Sequence, residues 1–313
     1  MTTLEDRFAG CIVGAAVGDA LGMPTEEVSP ETVVKVYGGP VTEFQTAMKG
    51  HPNQHLPAGS YTDDTQQILA LSKSLIECNG FDIDNFAKHY KDWYQKISTI
   101  PSFDRFSGTA SRNAGRNLWK GVSPYESGST VTLGCGSAMR VAPIGLFYHS
   151  NIDEAIAKGQ ESAVISHNTQ QCREGAGIVS GIVAALCQGY EPLDAVKRVL
   201  PSVKDNELKG KLVMAVHMQD DVLSRAVQEI GTSALVTDTV GFAVYSFLRA
   251  KNFEDAIVLG ANATPGDTDS IACIAGAMAG AHYGFGSIPK KFHSVEDFEL
   301  LQNTAKELLK SSK

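Results

Sequence analysis

Tyr61-Thr62-Asp63-Asp64-Thr65 and, about 200 residues later, Pro265-Gly266-Asp267-Thr268-Asp269-Ser270 are the two stretches that decide how this chain folds. Each stretch places two carboxylates and a hydroxyl group in a short turn that leads directly into an apolar helical segment. Four carboxylates brought together repel one another, and their burial costs further free energy. A bound divalent cation removes both penalties, and a ligand set made only of oxygen favours Mg²⁺, Mn²⁺ or Ca²⁺ over zinc or copper. The two stretches therefore predict a shared metal site that draws distant parts of the chain together.

Each acidic stretch taken alone also has a simpler explanation. A threonine or aspartate at the start of a helix caps its free N–H groups, and an acid in the first turn complements the helix dipole. Capping accounts for one carboxylate per helix and leaves the second one unexplained. The segment Val17-Gly18-Asp19-Ala20-Leu21-Gly22, followed shortly by Glu26, adds further acids near the start of the chain. The whole set favours a metal site over two unrelated helix caps.

Apolar residues recur at helical spacing along most of the chain, for example from Ile68 to Ile76 and from Val236 to Phe247. The best candidate for a strand, Ser129–Leu133, is short. The longest stretch without periodicity, residues 29–60, has the length that is typical of lids and binding loops. We predict an all-α fold with a single domain over residues 1–313. Further helices are predicted at about 4–22, 82–97, 108–120, 152–166, 170–188, 191–199, 252–262, 268–284 and 295–310.

Glycines recur every four residues in the first and the last but one of these helical segments: Gly10, Gly14, Gly18, Gly22, and then Gly276, Gly280, Gly284. Each glycine in a helix costs about 1 kcal/mol relative to alanine. Close backbone approach between two central helices would offset this cost, so we predict a packing role and no contact with a ligand. Asp19 and the charges near it argue against the membrane version of this glycine pattern.

The bulk composition limits the function further. The chain has 313 residues, 43% hydrophobic content and a formal net charge of −8, which argues against a bulk nucleic-acid-binding face. None of the six cysteines forms a C-x-x-C pair, and most lie in apolar helical stretches, so buried reduced thiols in a cytoplasmic protein are expected. The start of the chain lacks the pattern of a signal peptide, and the longest apolar run, Ala176–Cys187, is shorter than the roughly 20 residues of a membrane span. We expect a monomer that does not bind membranes.

Five ordered motifs resemble the ADP-ribosylglycohydrolase family, which includes the dinitrogenase-reductase-activating glycohydrolases and the ADP-ribosyl-acceptor hydrolases. The resemblance covers nearly the whole chain. It rests on residues 14–26, Thr62-Asp63-Asp64-Thr65, Gly134-Cys135-Gly136-Ser137-Ala138-Met139-Arg140, Ser166-His167-Asn168, and Gly266-Asp267-Thr268-Asp269-Ser270 with the alanine- and glycine-rich helix that follows. The resemblance implies an orthogonal helix bundle with a central cleft that holds two metal ions, Mg²⁺ or Mn²⁺.

The resemblance also implies a set of site residues. The metal ligands would be Glu26, Thr62, Asp63, Asp64, Asp267, Asp269 and Ser270. The last position is often threonine in the family, and serine keeps the hydroxyl oxygen. Pro265 stands where glycine is common, which leaves the approach of Asp267 less certain. The residues that contact the substrate would be Gly108, Thr109, Gly136, Ser137, Met139, Arg140 and His167.

Several of these residues also have structural explanations. The Gly134–Arg140 loop is an ordinary turn before an apolar helix, and such a helix start also offers free N–H groups to an anion. Arg140 is either a phosphate ligand or the buried partner of an acid. A lone histidine is more often structural than catalytic, and the family resemblance favours substrate contact for His167. Asp104 lies near the Gly108–Thr109 segment but is offset by one residue, so it receives no catalytic role.

The expected reaction is metal-dependent hydrolysis of the glycosidic bond between ADP-ribose and an acceptor on a protein or a small molecule. Glu26 is the first choice for the catalytic carboxylate, and Asp63 is the second. Two alternatives are a metal-dependent nucleotide phosphohydrolase and a binding module for ADP-ribose without catalysis. No His-Asp dipeptide of the kind used by helical phosphohydrolases occurs in the sequence, and a complete set of ligands argues against a protein that has lost catalysis.

Overall fold

Two glycine-lined helices form the centre of the molecule. The computed structural model describes residues 2–312, and in it the helices Leu4–Gly22 (α1) and Thr268–Tyr283 (α14) run antiparallel and make the most extensive helix contact. A Cβ atom added at Gly18 would lie 1.9 Å from the carbonyl oxygen of Ala272, and one added at Gly280 would lie 1.9 Å from that of Gly10. The backbones therefore touch directly, and the predicted packing role of the glycines is confirmed.

The fold is all-α, as the sequence predicts, and the part of the chain that the structure describes contains no strand. Ser129–Leu133 is not a strand: Ser129 and Gly134 take part only in isolated bridges, to His167 and Leu235. The remaining helices are Pro30–Tyr37 (α2), Asp63–Cys78 (α3), Ile83–Thr99 (α4), Thr109–Trp119 (α5), Ala142–Phe147 (α6), Ile152–Ala163 (α7), Gln170–Cys187 (α8), Pro192–Val199 (α9), Asn206–His217 (α10), Leu223–Ile230 (α11), Val236–Arg249 (α12), Phe253–Ala261 (α13) and Phe298–Ser311 (α15).

Residues 29–60 are less irregular than expected, because they begin with the short helix α2. Ser29 caps this helix by accepting a hydrogen bond from the N–H of Thr32, and Pro30 occupies the first turn. Gly38, with a φ of 80°, ends it. Only Val33 of α2 is buried, so capping rather than core packing defines the helix. The rest of the segment contains no helix.

One contiguous apolar core includes buried residues from Phe8 to Leu308. The stretch Leu4–Thr25 is long and apolar enough to cross a membrane by composition alone, but 94% of its most apolar part is buried inside the protein. Core helices of water-soluble proteins have the same properties, so this is weak evidence for a span. The six cysteines are free, as expected, although Cys78 is exposed rather than buried.

Candidate metal centre and substrate cleft

Asp19 fixes the first acidic stretch to the central helix α1. It is fully buried, and its two carboxylate oxygens accept hydrogen bonds from the backbone N–H groups of Thr62 (2.8 Å) and Thr65 (3.0 Å) and from the Thr65 hydroxyl (2.6 Å). Three hydrogen bonds to one carboxylate set the position and direction of the turn that starts α3. Sequence reasoning assigned Asp19 no role, although its place in a glycine-lined apolar helix was a signal, since buried acids require partners.

The first acidic stretch forms the N-terminus of α3. The Thr62 hydroxyl accepts from the N–H of Asp64 (3.4 Å), so the capping explanation holds for this residue. Asp63 accepts a hydrogen bond from the side-chain amide of Gln67 (2.7 Å). Oδ2 of Asp64 is buried and has no hydrogen-bond partner within residues 2–312. A buried carboxylate oxygen without a donor is costly, and capping does not explain it.

The second acidic stretch lies at the N-terminus of α14. Asp267 precedes the helix, but its side chain makes no capping hydrogen bond; Oδ2 instead lies 2.9 Å from the Cys135 thiol. Asp269 accepts from the N–H of Ser270 (2.8 Å). The Thr268 hydroxyl instead donates a hydrogen bond to the carbonyl oxygen of Gly22 in α1 (2.9 Å). The close contact of α1 with α14 reaches Gly22 and Thr268. Asp19, which holds the first acidic stretch, lies in the same part of α1, so the contact places the second acidic stretch beside the first.

Glu26 completes the cluster from the segment after α1. Carboxylate oxygens of Glu26, Asp267 and Asp269 all lie within 4.8 Å of one another, and Oε2 of Glu26 is buried without a partner in the described chain. With Asp64 this gives two orphaned carboxylate oxygens in one cluster. A hard divalent cation satisfies oxygens of this kind, so the residues fit the cation site predicted from the sequence.

Electrostatics in the cluster lead to the same conclusion. Burial and the charges of Asp19 and Asp267 raise the pKa of Asp63 to about 7, and burial raises the pKa of Asp19 to about 6. Burial, followed by Asp267 and Asp63, raises the pKa of Glu26 well above its usual value. Without a counter-charge the Asp63 carboxyl group would keep its proton in about half of the molecules at pH 7, and a cation would release that proton and bind the carboxylate.

The acids line one wall of a cavity of about 390 Å³. Its size suits a ligand as large as a nucleotide. Eleven of the fourteen site residues predicted from the sequence line it: Glu26, Asp63, Asp64, Gly108, Thr109, Gly136, Met139, His167, Asp267, Asp269 and Ser270. The structure thus brings together residues from six separate parts of the sequence, although their individual roles stay predictions.

His167 and Gly136 line the same cavity as the acids and are in contact with each other. A Cβ at Gly136 would lie 2.6 Å from Cε1 and 2.9 Å from Nε2 of His167, so only glycine fits against the ring. Burial, together with the charge of Arg140, lowers the pKa of His167 to about 3. The imidazole is therefore neutral and acts as a hydrogen-bonding group rather than as a cation.

Three predicted site residues do not line the cavity. Thr62 is fully buried and stays a predicted ligand only through its hydroxyl oxygen. Ser137 is fully buried, and its hydroxyl donates to the carbonyl of Cys172 (3.0 Å). Arg140 is fully buried behind the wall and has neither of its expected partners: no acid forms an ion pair with it in the described chain, and it does not reach the cavity. Direct substrate contact by Ser137 or Arg140 would require the wall to move.

A second cavity of about 340 Å³ adjoins the first. Both cavities are lined by Glu26, Glu27 and Phe106, so these three residues separate them. The irregular segment 29–60 contributes Met48 and His51 among others. Phe106 has a left-handed backbone with a φ of 66°, which is unusual for a bulky residue. No sequence pattern marked it. Asp104, by contrast, pairs with Arg112 outside both cavities, in keeping with the absence of a catalytic assignment.

Comparison with known proteins identifies the family. A family model described as ADP-ribosylglycohydrolase matches residues 1–313. The chain belongs to the ADP-ribosylglycohydrolase family. A relative in Archaeoglobus fulgidus, an uncharacterized protein, is 36% identical over 97% of this chain and 96% of its own length. The ADP-ribosylarginine hydrolase Tri1 of Pseudomonas putida is 27% identical over 97% of this chain and 78% of its own.

A solved structure agrees with this assignment. A chain of an ADP-ribosylglycohydrolase-related protein complex superposes with a TM-score of 0.78 at 26% identity, covering 99% of both chains. The predicted family and fold class are therefore confirmed. The predicted enzyme class is confirmed as well: this ADP-ribosylglycohydrolase family member is a hydrolase of the bond between ADP-ribose and an acceptor.

Proposed function

We propose that this protein releases ADP-ribose from an acceptor by hydrolysis at the anomeric carbon, with two divalent cations, Mg²⁺ or Mn²⁺, in the acidic cleft. The observation that carries the proposal is the convergence of Glu26, Asp267 and Asp269 within 4.8 Å, with Asp63 and Asp64 lining the same cavity. The ligands would be Glu26, Thr62, Asp63, Asp64, Asp267, Asp269 and Ser270. When bound, the cations supply positive charge that orients the 2- and 3-hydroxyls of the terminal ribose.

We assign the catalytic proton transfer to Glu26. It lines both cavities, so it lies between the place for the ribose and the place for the leaving group. Oε2 has no hydrogen-bond partner within residues 2–312, whereas a carboxylate oxygen of Asp63 accepts a hydrogen bond from Gln67. With one oxygen of Glu26 on a cation, the other would be available to polarise water or to protonate the acceptor as the oxocarbenium-like transition state forms. Asp63 is the second choice.

We assign the second cavity to the acceptor. Its charged lining groups are Glu26 and Glu27, and no lysine or arginine of the described residues 2–312 lines it. This charge favours a cationic acceptor such as the guanidinium group of arginine. The name of the relative Tri1, an ADP-ribosylarginine hydrolase, supports the same choice. ADP-ribosyl-serine and O-acetyl-ADP-ribose carry no such charge and would gain less from Glu27.

The test is release of ADP-ribose from a panel of substrates carrying these three linkages, with Mg²⁺, with Mn²⁺ and with EDTA. We expect metal-dependent release, fastest from ADP-ribosyl-arginine. Glu26→Gln should remove turnover at saturating metal, and full turnover would refute the assignment of Glu26. Glu27→Gln should raise KM for the arginine substrate more than for the serine substrate. Release of phosphate or AMP would indicate a phosphohydrolase, and binding of ADP-ribose without products would indicate a binding module.

We also propose that the protein acts as a cytoplasmic monomer that binds neither membranes nor bulk nucleic acid. The net charge of −8 supports the last point. Light scattering of the purified protein, cell fractionation, and titration with vesicles and with duplex DNA test these expectations. A stable dimer, recovery in a membrane fraction or salt-dependent DNA binding would each contradict one of them.

A further inference from the structure

Arg140 carries a positive charge in the interior without an acidic partner. It is fully buried, and none of the ion pairs within residues 2–312 includes it. Its guanidinium group lies over two aromatic rings and donates to four oxygens: those of the Gln67 amide (2.8 Å), the Gly136 carbonyl (2.9 Å), the Ser166 hydroxyl (2.7 Å) and the Ser162 carbonyl (3.4 Å). A buried cation held only by neutral groups is costly to keep, so these contacts call for an explanation beyond packing.

The contact with Gln67 leads to a metal ligand. Arginine can only donate hydrogen bonds, so the amide oxygen of Gln67 must face Arg140. The amide nitrogen of Gln67 must then face the other way, where it donates to Oδ2 of Asp63 at 2.7 Å. Arg140 thereby fixes the orientation of the amide, and the amide fixes one oxygen of Asp63. An amide turned by 180° would place two nitrogens together and two oxygens together.

The contact with Ser166 leads to His167, which lines the cleft. Nη2 of Arg140 donates to Oγ of Ser166, so the serine hydroxyl must use its own proton elsewhere. Nδ1 of His167 lies 2.8 Å from Oγ of Ser166, where it can accept this proton. The imidazole is neutral, so its proton is on Nε2, the atom beside Gly136 at the cavity wall. Arg140 thereby sets which nitrogen of His167 carries the proton.

We propose that Arg140 is a positioning residue that holds both halves of the site, the metal half through Gln67 and Asp63 and the substrate half through Ser166 and His167. The inference rests on the roles proposed above for Asp63 as a ligand and His167 as a substrate contact. One buried side chain thus acts through two separate hydrogen-bonded branches, Gln67–Asp63 and Ser166–His167. A substitution can remove either branch and leave the other in place.

The experiment cuts the branches one at a time. Gln67→Met removes the amide at nearly constant volume, and Ser166→Ala removes the hydroxyl. Mn²⁺ affinity is measured by electron paramagnetic resonance, and ADP-ribose affinity by calorimetry at saturating Mn²⁺. We expect Gln67→Met to weaken Mn²⁺ binding by about 10-fold, the lower range for residues that orient a metal ligand, with ADP-ribose affinity within about twofold. We expect the reverse for Ser166→Ala.

Arg140→Met should lower the affinity for both Mn²⁺ and ADP-ribose. Arg140→Lys should restore neither affinity fully, because an ammonium group lacks the forked guanidinium geometry that reaches Gln67 and Ser166 together. Ser180→Ala is the matched control: Ser180 is a fully buried serine bonded only to helix carbonyls away from the cleft. It should lower stability and leave both affinities unchanged. If the Arg140 variants do not fold, the two branch variants still decide.

Three results would overturn the inference. Wild-type affinities in both branch variants would show that the contacts have no role at the site. If each branch variant lost affinity for Mn²⁺ and for ADP-ribose equally, or if Ser180→Ala lost as much affinity as the branch variants, the cause would be a general loss of structure. If the wild-type protein binds neither Mn²⁺ nor ADP-ribose, the proposed function itself is wrong. This failure is distinguishable from a failure of the inference about Arg140, because the wild-type protein alone reveals it.

Discussion

Gly18→Ala tests the direct backbone contact between α1 and α14. The added Cβ would lie 1.9 Å from the carbonyl oxygen of Ala272 and 2.5 Å from its carbonyl carbon. Both atoms belong to the backbone of a buried helix, so no side chain can rotate to make room. An ordinary contact begins at 3.4 Å, and the helices must therefore separate by about 1.5 Å at this point.

The cost of this separation can be estimated. Overpacking a well-packed core by one methyl group costs about 1–3 kcal/mol, and a clash with backbone on both sides belongs at the upper end or above it. We expect a loss of about 3 kcal/mol, against a total stability of about 5–15 kcal/mol for a protein domain. Alanine also has a better helix propensity than glycine, which returns up to about 1 kcal/mol and is included in the estimate.

Urea unfolding followed by circular dichroism measures the change as a shift of the midpoint at constant slope. Gly210→Ala is the control, because Gly210 lies in α10 and an added Cβ would meet no atom within 4 Å. This control should be stabilised by about 0.5–1 kcal/mol. A Gly18→Ala variant within 0.5 kcal/mol of the wild type would refute the reasoning, since the same helix propensity acts in both variants.

Three further predictions concern the charges of the site and its surroundings. In EDTA the free energy of unfolding should fall as the pH rises from about 4 to about 7. The pKa values of Asp19 and Asp63 in the folded protein are about 6 and about 7, so the folded protein keeps protons that the unfolded chain has already released. A free energy of unfolding that does not change with pH in urea titrations would contradict this. Mn²⁺ at 100 times its dissociation constant should add about 2.7 kcal/mol of stability for each ion bound, and Asp269→Asn should gain less at the same Mn²⁺ concentration when unfolding is followed by calorimetry. Tyr61→Phe should cost about 1.5 kcal/mol, since the Tyr61 hydroxyl donates to the Asp297 carboxylate at 2.6 Å. Tyr245→Phe, which removes a bond to a neutral carbonyl, should cost less in the same urea assay, and the opposite order would contradict the argument.

The sequence predicted the central features of the fold because they are local or repetitive. Glycines every four residues identified the two helices whose backbones touch, and paired acids at the starts of α3 and α14 identified the cluster. The short helix α2 was missed because it has almost no apolar face, although Ser29, Pro30 and Gly38 are the residues that start and stop a helix. A search by caps as well as by periodicity would have found it.

The contacts of Arg140 could not have been predicted in the same way. Gln67 and Ser166 lie 73 and 26 residues from Arg140 in the sequence, and nothing in their neighbours marks them as its partners. The expected partner was a phosphate or an acid, because charge is the property that a sequence displays. The structure instead uses an amide and a hydroxyl, and that choice follows only from the packing of α3 and the turn before α8 around one side chain.

The meeting of α1 with α14 has a consequence for the order of events during synthesis. The acids that the two helices bring together are separated by about 200 residues of chain, so the ribosome makes the first half of the cluster long before the second. Until α14 has emerged, Glu26, Asp63 and Asp64 lack Asp267 and Asp269, so the predicted ligand set is incomplete. Contacts of such long sequence separation form late in folding. If the proposed site binds cations, their capture would report that the chain has been made and closed through α14, and nascent chains stopped before residue 268 should bind Mn²⁺ no better than an unfolded protein.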